Sequence, residues 1–283
     1  IKRTSKYKNL TKKYGEGNDS IEFYLNKKNP MSVFTWQGDK DTTFSAYDSI
    51  KYYKHFLHSG FMAMDPHNGH VKAWVGGHNY KYFKFDHVKQ GARQPGSTFK
   101  PFLYLAALDN GYSPCDTIKD TRYTFALQDQ AEDQKNFWSP PNFSNEYKEK
   151  YITIRHGLAQ SLNSIAAFLM MQMQPQKVVE YAKRLGITTP LDPVPSLALG
   201  VSDVKLFDMV GAYSVFANKG IWTQPLFVTE IKDKNGNVIK TFKSETREAL
   251  SEEYAYLMLH MLQGATSYEY YHTNSHGTKA YDG

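Results

Sequence analysis

The sequence predicts a mixed α and β fold, because two hydrophobic periods alternate along it. Apolar residues recur at helical spacing over Asp48–Ser59, Phe102–Leu108, Ser164–Met173 and Ser202–Asn218. Between them lie two strand–turn–strand signatures. One flanks Asp65-Pro66-His67-Asn68-Gly69 and the other flanks Asn235-Gly236, a strong short hairpin signal. With 283 residues and 41% hydrophobic content, the chain can bury a large core as one domain or one and a half.

Residues 1–45 are polar, mixed and weakly periodic, and they close on the aromatic patch Met31–Trp36. They read as a basic arm and linker, with the main domain occupying residues 46–283. The formal net charge is +6, and residues 1–13 alone hold six basic side chains (Lys2, Arg3, Lys6, Lys8, Lys12, Lys13) and no acidic one. The rest of the chain therefore balances to zero. A nucleic-acid-binding protein is expected to carry its charge on a folded face, so the arm reads as a solvated linker or a segment near anionic lipid, and no nucleic-acid partner is expected. The single Cys115 can form no internal disulfide and has no second cysteine for a metal site. The longest apolar runs are about seven residues, short of a spanning helix, and Ile1 does not begin a signal peptide. Any export signal or membrane anchor is expected outside this chain.

Asp48–Ser59 places Ile50, Tyr53, Phe56 and Leu57 on one side and stops at Gly60. Phe61–Met64 and His70–Val75 form the first hairpin. The apolar run Phe102–Leu108 has helix length and ends at Asn110-Gly111. Residues 111–150 are irregular and rich in Asp, Asn, Pro and aromatics, and loops of that length are usually functional or packed in their own right. Thr153 has the place of a cap for a short helix through Gln160; Ser164–Met173 and Gln176–Leu185 follow as helices, the latter closed by Gly186. Ser202–Asn218 is apolar nearly all round and belongs in the core. Leu226–Ile231 and Val238–Phe242 form the second hairpin, and Ser251 opens a helix to Gln263 with two acids in its first turn. Residues 265–283 show no period.

Two short patterns carry chemistry. In Arg93-Gln94-Pro95-Gly96-Ser97-Thr98-Phe99-Lys100-Pro101, Ser97 and Lys100 fall on one face of a helix's first turn, so their side chains are expected to meet. A serine hydroxyl is a weak nucleophile until a base takes its proton, and a desolvated lysine can be that base. Helix N–H groups nearby can hold a developing oxyanion. The same spacing occurs at Ser5/Lys8 in the basic arm and at Ser202/Lys205, where Ser202 has the place of a helix cap. Ser161-Leu162-Asn163 is the only Ser-x-Asn in the chain and sits at a junction between two helices. Two roles compete for it: a helix cap, or a serine that relays a proton and an asparagine that binds both a carbonyl and the lysine. The pairs His55/His58, His67/His70 and His272/His276 have tolerable metal spacing but no matching carboxylate motif, so no metal is expected.

Together, and in this order, the two motifs resemble those of the serine acyltransferases that bind penicillin. The flanks sharpen the resemblance. Ala63-Met64-Asp65-Pro66, Lys72-Ala73-Trp74-Val75-Gly76-Gly77 and the Ser97 stretch are similar to the entry of the transpeptidase domain of class A, bifunctional penicillin-binding proteins. Pro195–Gly200 and Ala212–Gly220 are similar to that family's later core. The resemblance implies helices around an antiparallel sheet, the fold shared with serine β-lactamases. It implies a peptidoglycan D,D-transpeptidase in which Ser97 attacks the D-Ala-D-Ala bond of a donor stem peptide and passes the acyl group to an amine on a neighbouring stem. Lys100, Ser161 and Asn163 are its implied partners, β-lactams acylate Ser97, and no cofactor is involved. The family resemblance also places the domain on the outer face of the cytoplasmic membrane, in the periplasm, with a membrane anchor and a glycosyltransferase domain outside this chain.

The sequence departs from the family in lacking Lys-Thr-Gly or Lys-Ser-Gly; His276-Gly277-Thr278-Lys279 is at best a scrambled echo. By family order that motif is expected just past Gly283, so residues 46–283 read as a transpeptidase domain incomplete at its C-terminal end, or as one that has lost activity. A serine β-lactamase or D,D-carboxypeptidase, and an inactive β-lactam-binding sensor or scaffold, are the alternatives.

Overall fold

Thr4 accepts the N–H of Tyr7 and starts α1 (Ser5–Tyr14), whose last turn sets Lys12 and Lys13 against the negative end of the helix dipole. No residue of α1 is buried, which is why its sequence carries no apolar stripe. Asn18 caps α2 (Asp19–Asn26), which buries Ile21 and Leu25. An antiparallel hairpin follows, β1 (Asn29–Thr35) with β2 (Gly38–Phe44), and a capping box of Ser45 and Asp48 opens α3 (Ala46–Lys54). The stretch that shows little period in sequence thus holds two helices and a hairpin. The helix expected over Asp48–Ser59 starts earlier and closes at Lys54, where the His55 and Phe56 N–H groups tighten onto Tyr52 and Tyr53. Phe34 packs edge-on against Phe56 and Phe83, both at 5.4 Å.

The computed structural model describes residues 1–127 and 136–266, and it gathers them into two units, 1–60 with 76–86, and 61–75 with 87 onward. The second unit opens on the expected hairpin, β3 (Phe61–Met64) with β4 (Val71–Val75). Next come β5 (Ala92–Arg93), a 3-10 turn over Gly96–Phe99, and α4 (Lys100–Leu108). The stretch 111–150, irregular in sequence, supplies β6 (Thr117–Lys119), β7 (Phe125–Leu127) and β8 (Asn136–Trp138). β7 pairs with β8, and β6 pairs with β9 (Tyr151–Thr153). Thr153 caps α5 (Ile154–Ala159) as its sequence suggests, followed by α6 (Asn163–Met173) and α7 (Pro175–Arg184).

A 3-10 turn over Pro195–Leu199 leads to β10 (Val204–Lys205), which pairs with β5, and then to α8 (Leu206–Ala217). The expected helix at Ser202 therefore begins only at Leu206. Ser202 is not its cap; its buried hydroxyl instead accepts the Asp192 N–H at 3.3 Å. The chain continues through β11 (Ile221–Thr223), β12 (Glu230–Lys232), β13 (Val238–Thr241) and β14 (Thr246–Glu248) to α9 (Glu252–Gln263). β12 and β13 form the Asn235-Gly236 hairpin, and β11 pairs with β14. The fold class is the mixed one expected, with the strands of the described residues arranged as antiparallel pairs.

α4 is the centre of the second unit. Every residue from Lys100 to Leu108 is buried, and the helix packs against α5, α6, α7 and α9. A helix apolar on all sides is stable only when other helices surround it. Among the described residues no helix is long and apolar enough to cross a membrane, and no three His, Cys, Asp or Glu side chains gather as a metal site. His67 is hydrogen-bonded to Asn218 at 3.0 Å, and His58 stacks on His78. His272 and the stretch His276–Lys279 lie outside the described residues.

Candidate active site

The Ser97 turn is set by close backbone packing. Gly96 has φ +61, and its N–H donates to Gly200 O at 3.2 Å. A Cβ on Gly200 would come within 2.1 Å of Gly96 O, so only glycine lets the two turns meet. Thr98 Oγ1 donates to Pro95 O at 2.7 Å, and Tyr213 from α8 donates its hydroxyl to Thr98 O at 2.5 Å. Burial raises the Tyr213 pKa to about 12, so it stays a donor through the neutral range. In the 3-10 turn, residues three apart eclipse, which sets Ser97 and Lys100 along one edge.

Ser97 is exposed, and among the described residues its hydroxyl makes no hydrogen bond. Ser97 and Lys100, whose side chains are expected to meet from their spacing, share no hydrogen bond among the described residues. Lys100 instead turns toward the junction of α5 and α6. Its Nζ donates to Ser161 O at 2.7 Å, Ser161 Oγ at 3.0 Å and Asn163 Oδ1 at 2.8 Å. Catalytic hydrogen bonds are often completed only when substrate closes the site.

Lys100 is 1% exposed, and no carboxylate pairs with it among the described residues. Loss of hydration penalises the ammonium and lowers its pKa from 10.5 to about 8. At pH 7 about one molecule in ten then carries a neutral amine, against about one in a few thousand for an exposed lysine. Three acceptors hold the ammonium form, and loss of one proton frees a lone pair for a hydroxyl.

Ser161 occupies a strained position, with φ +52. Its N–H donates to Leu158 O and the N–H of Leu162 to Gly157 O, both at 2.9 Å, the two bonds that close a helix on a left-handed residue. Glycine is the usual occupant. A serine there costs on the order of 1 kcal/mol and places a hydroxyl and a carbonyl on Lys100. Asn163, the first residue of α6, donates from Nδ2 to Pro141 O at 2.7 Å. A carbonyl can only accept, so the amide is oriented: Oδ1 faces Lys100, and one N–H remains for a substrate carbonyl.

The structure thus brings Lys100, Ser161 and Asn163 together beside the exposed Ser97. The sequence marks Tyr213 only as part of a core helix and Ser164 only as a helix start, and it does not mark Asp120 or Asn142; Asp120, Asn142 and Ser164 form a buried polar cluster that supports the start of α6. Nothing local marks these roles, since their partners lie far along the chain.

Residues 59–282 match the penicillin binding protein transpeptidase domain, and residues 1–57 match the penicillin-binding protein middle domain. The chain belongs to the penicillin-binding protein transpeptidase family. It is 36% identical over 205 residues to penicillin-binding protein 2D of Bacillus subtilis, covering 72% of this chain and 29% of that protein. It is 37% identical over 195 residues to penicillin-binding protein 1A of Rickettsia felis, covering 69% and 24%. The chain therefore spans less than a third of the length of these relatives. The crystal structure of penicillin-binding protein 1A from Haemophilus influenzae shares the fold, with a TM-score of 0.68 and 26% identity over 74% of this chain and 35% of that one. The imipenem acyl-enzyme complex of penicillin-binding protein A from M. tuberculosis aligns with a TM-score of 0.53 and 19% identity, covering 62% and 44%, a likeness of fold.

Proposed function

We propose that this domain is a peptidoglycan D,D-transpeptidase working through an acyl-enzyme on Ser97. The observation that carries the reading is Lys100, a buried lysine with no carboxylate partner among the described residues, held by Ser161 and Asn163 at the foot of a turn that exposes a serine. Neutral Lys100 takes the Ser97 proton, directly or through the Ser161 hydroxyl, as Ser97 Oγ attacks the carbonyl of a D-Ala-D-Ala donor. The free N–H of Asn163 binds the donor backbone, and N–H groups of the turn lie near the developing oxyanion. The peptide bond breaks, the proton passes to the leaving D-alanine amine, and the amine of a neighbouring stem peptide then displaces Ser97 from the ester. A β-lactam presents the same carbonyl to Ser97 and leaves it acylated. Such substrates place the domain outside the cytoplasmic membrane.

The test is covalent labelling of the intact protein by a fluorescent penicillin, with the labelled peptide mapped. Ser97 should carry the label, and Ser97→Ala should lose it without loss of thermal stability. A label that survives in Ser97→Ala puts the nucleophile elsewhere. Rapid release of hydrolysed penicillin from the labelled protein would identify a β-lactamase instead.

A further inference from the structure

The N-terminus of α6 lacks its own cap. Leu162 holds the N-cap position and has no side-chain oxygen, so the first N–H groups of the helix need an acceptor from elsewhere. Asn142 provides it. Its Oδ1 accepts the N–H of Asn163 at 2.9 Å and that of Ser164 at 3.1 Å. Its Nδ2 donates to Glu146 O at 3.1 Å and to Asp120 Oδ1 at 3.0 Å. Asp120 also accepts from Ser164 Oγ at 2.6 Å and from the Lys148 N–H at 2.9 Å. Asp120, Asn142 and Ser164 are 1%, 5% and 1% exposed.

The arrangement has only one sense. Asn142 meets two N–H donors on one side and a carboxylate and a carbonyl on the other, so its amide cannot be flipped. Asp120 is a buried carboxylate that no cation pairs with in an ion pair among the described residues; three donors hold it in place. Were stability alone at stake, a serine or asparagine at position 162 would cap the helix locally without burying a carboxylate. What the distant cap adds is registry. The segment that supplies Asn142 also supplies Pro141 O, which orients the Asn163 amide toward Lys100.

We propose that Asn142 and Asp120 are positioning residues for acylation: they cap α6 from outside and so hold the Asn163 amide and the Ser161 carbonyl against Lys100. The role rests on the acyl-transfer reading of Ser97 and Lys100, and it acts through those groups without touching substrate.

The experiment compares Asn142→Asp, Asp120→Asn and the exchanged double variant with the wild type in the intact protein. Asn142→Asp keeps a cap acceptor but loses the donor to Asp120 and sets two carboxylates face to face. Its penicillin acylation rate should fall about 10-fold to 100-fold, the scale of misplacing a catalytic group. The exchange restores one donor and one acceptor between the two positions and should recover about tenfold of that loss. A second readout is the titration of Lys100, followed by NMR of carbon-labelled lysine and assigned with Lys100→Arg. Its midpoint should move toward the ordinary lysine value in Asn142→Asp and return in the exchange. A purely structural role would not move that midpoint in folded protein.

If Asn142→Asp acylates at the wild-type rate with an unmoved midpoint, the proposal is overturned; a folded exchange variant that recovers neither readout overturns it as well. Should Asn142→Asp fail to fold, Ser164→Ala removes one hydrogen bond to Asp120 and should shift both readouts the same way by a few fold; no shift there also overturns it. A wild-type protein that penicillin never labels refutes the acyl-transfer reading, while the Lys100 midpoint still decides the positioning role.

Discussion

Ser97/Lys100 and Ser202/Lys205 share one spacing and opposite burial. At the first, the serine is exposed and the lysine buried; at the second, the serine is buried at 6% exposure and the lysine is half-buried in a strand pair with β5. Ser202 spends its hydroxyl on the Asp192 N–H, while the hydroxyl of the exposed Ser97 makes no hydrogen bond among the described residues. A nucleophile must reach its substrate, and its base must be desolvated enough to lose a proton near neutrality. Only one of the two sites meets both demands. The third match, Ser5/Lys8, lies on α1, where nothing is buried and no desolvation can occur.

The strongest way to break the comparison is to remove each serine in turn. Ser97→Ala should abolish penicillin labelling, whereas Ser202→Ala should leave labelling intact and lower stability by about 1 kcal/mol, one lost hydrogen bond. Labelling lost in both variants would mean that burial does not separate the sites.

Replacing the lysines sharpens it next. Lys100→Arg keeps the charge but cannot readily release a proton, so acylation should fall about 10²-fold or more. Lys205→Arg should change the rate less than about twofold, the null effect expected of a residue outside the site. Stopped-flow acylation measures both.

Ser161→Gly separates strain from chemistry. Glycine suits the left-handed backbone, so the melting midpoint should rise by an amount equivalent to about 1 kcal/mol, while acylation falls about 10-fold as the hydroxyl is lost. A variant that is both more stable and fully active would leave the Ser161 hydroxyl without a role.

The pH dependence tests the burial of Lys100 directly. Its neutral fraction grows as pH rises toward about 8, so acylation should climb about tenfold per pH unit below that value and level off above it. The same shift has a stability consequence. The folded state releases the Lys100 proton near pH 8, and the unfolded state holds it to about 10.5, so the unfolded chain binds more protons in that window. The contribution of Lys100 is thus least favourable below pH 8 and improves as pH rises to 10.5. A rate that is flat from about pH 7 to about pH 9, roughly one unit on each side of the titration, would contradict a lysine base.

The smallest effect is expected from the basic arm. Deleting residues 1–13 removes all the net charge and most of α1, none of it buried. Acylation and melting should be unchanged, while salt-sensitive binding to anionic vesicles weakens. A large fall in melting temperature would show the arm to be structural.

Elements with a complete local signal were legible in advance. The Asn235-Gly236 turn, the Thr153 cap and the apolar run of α4 all appear where their residues place them, because each depends on neighbours a few positions away. α1 was hidden because it buries nothing, and β10 was hidden because Val204 and Lys205 take their strand geometry from Ala92 and Arg93. At the site, the sequence by itself determined the chemistry on offer: a hydroxyl, an amine three residues on, and a Ser-x-Asn pair. Only the tertiary structure decided which lysine loses its hydration, which way Asn163 points, and that Asn142 caps a helix it does not belong to. Burial and long-range hydrogen bonds are properties of packed neighbours, and they set the Lys100 pKa and geometry that turn a common spacing into a reactive one.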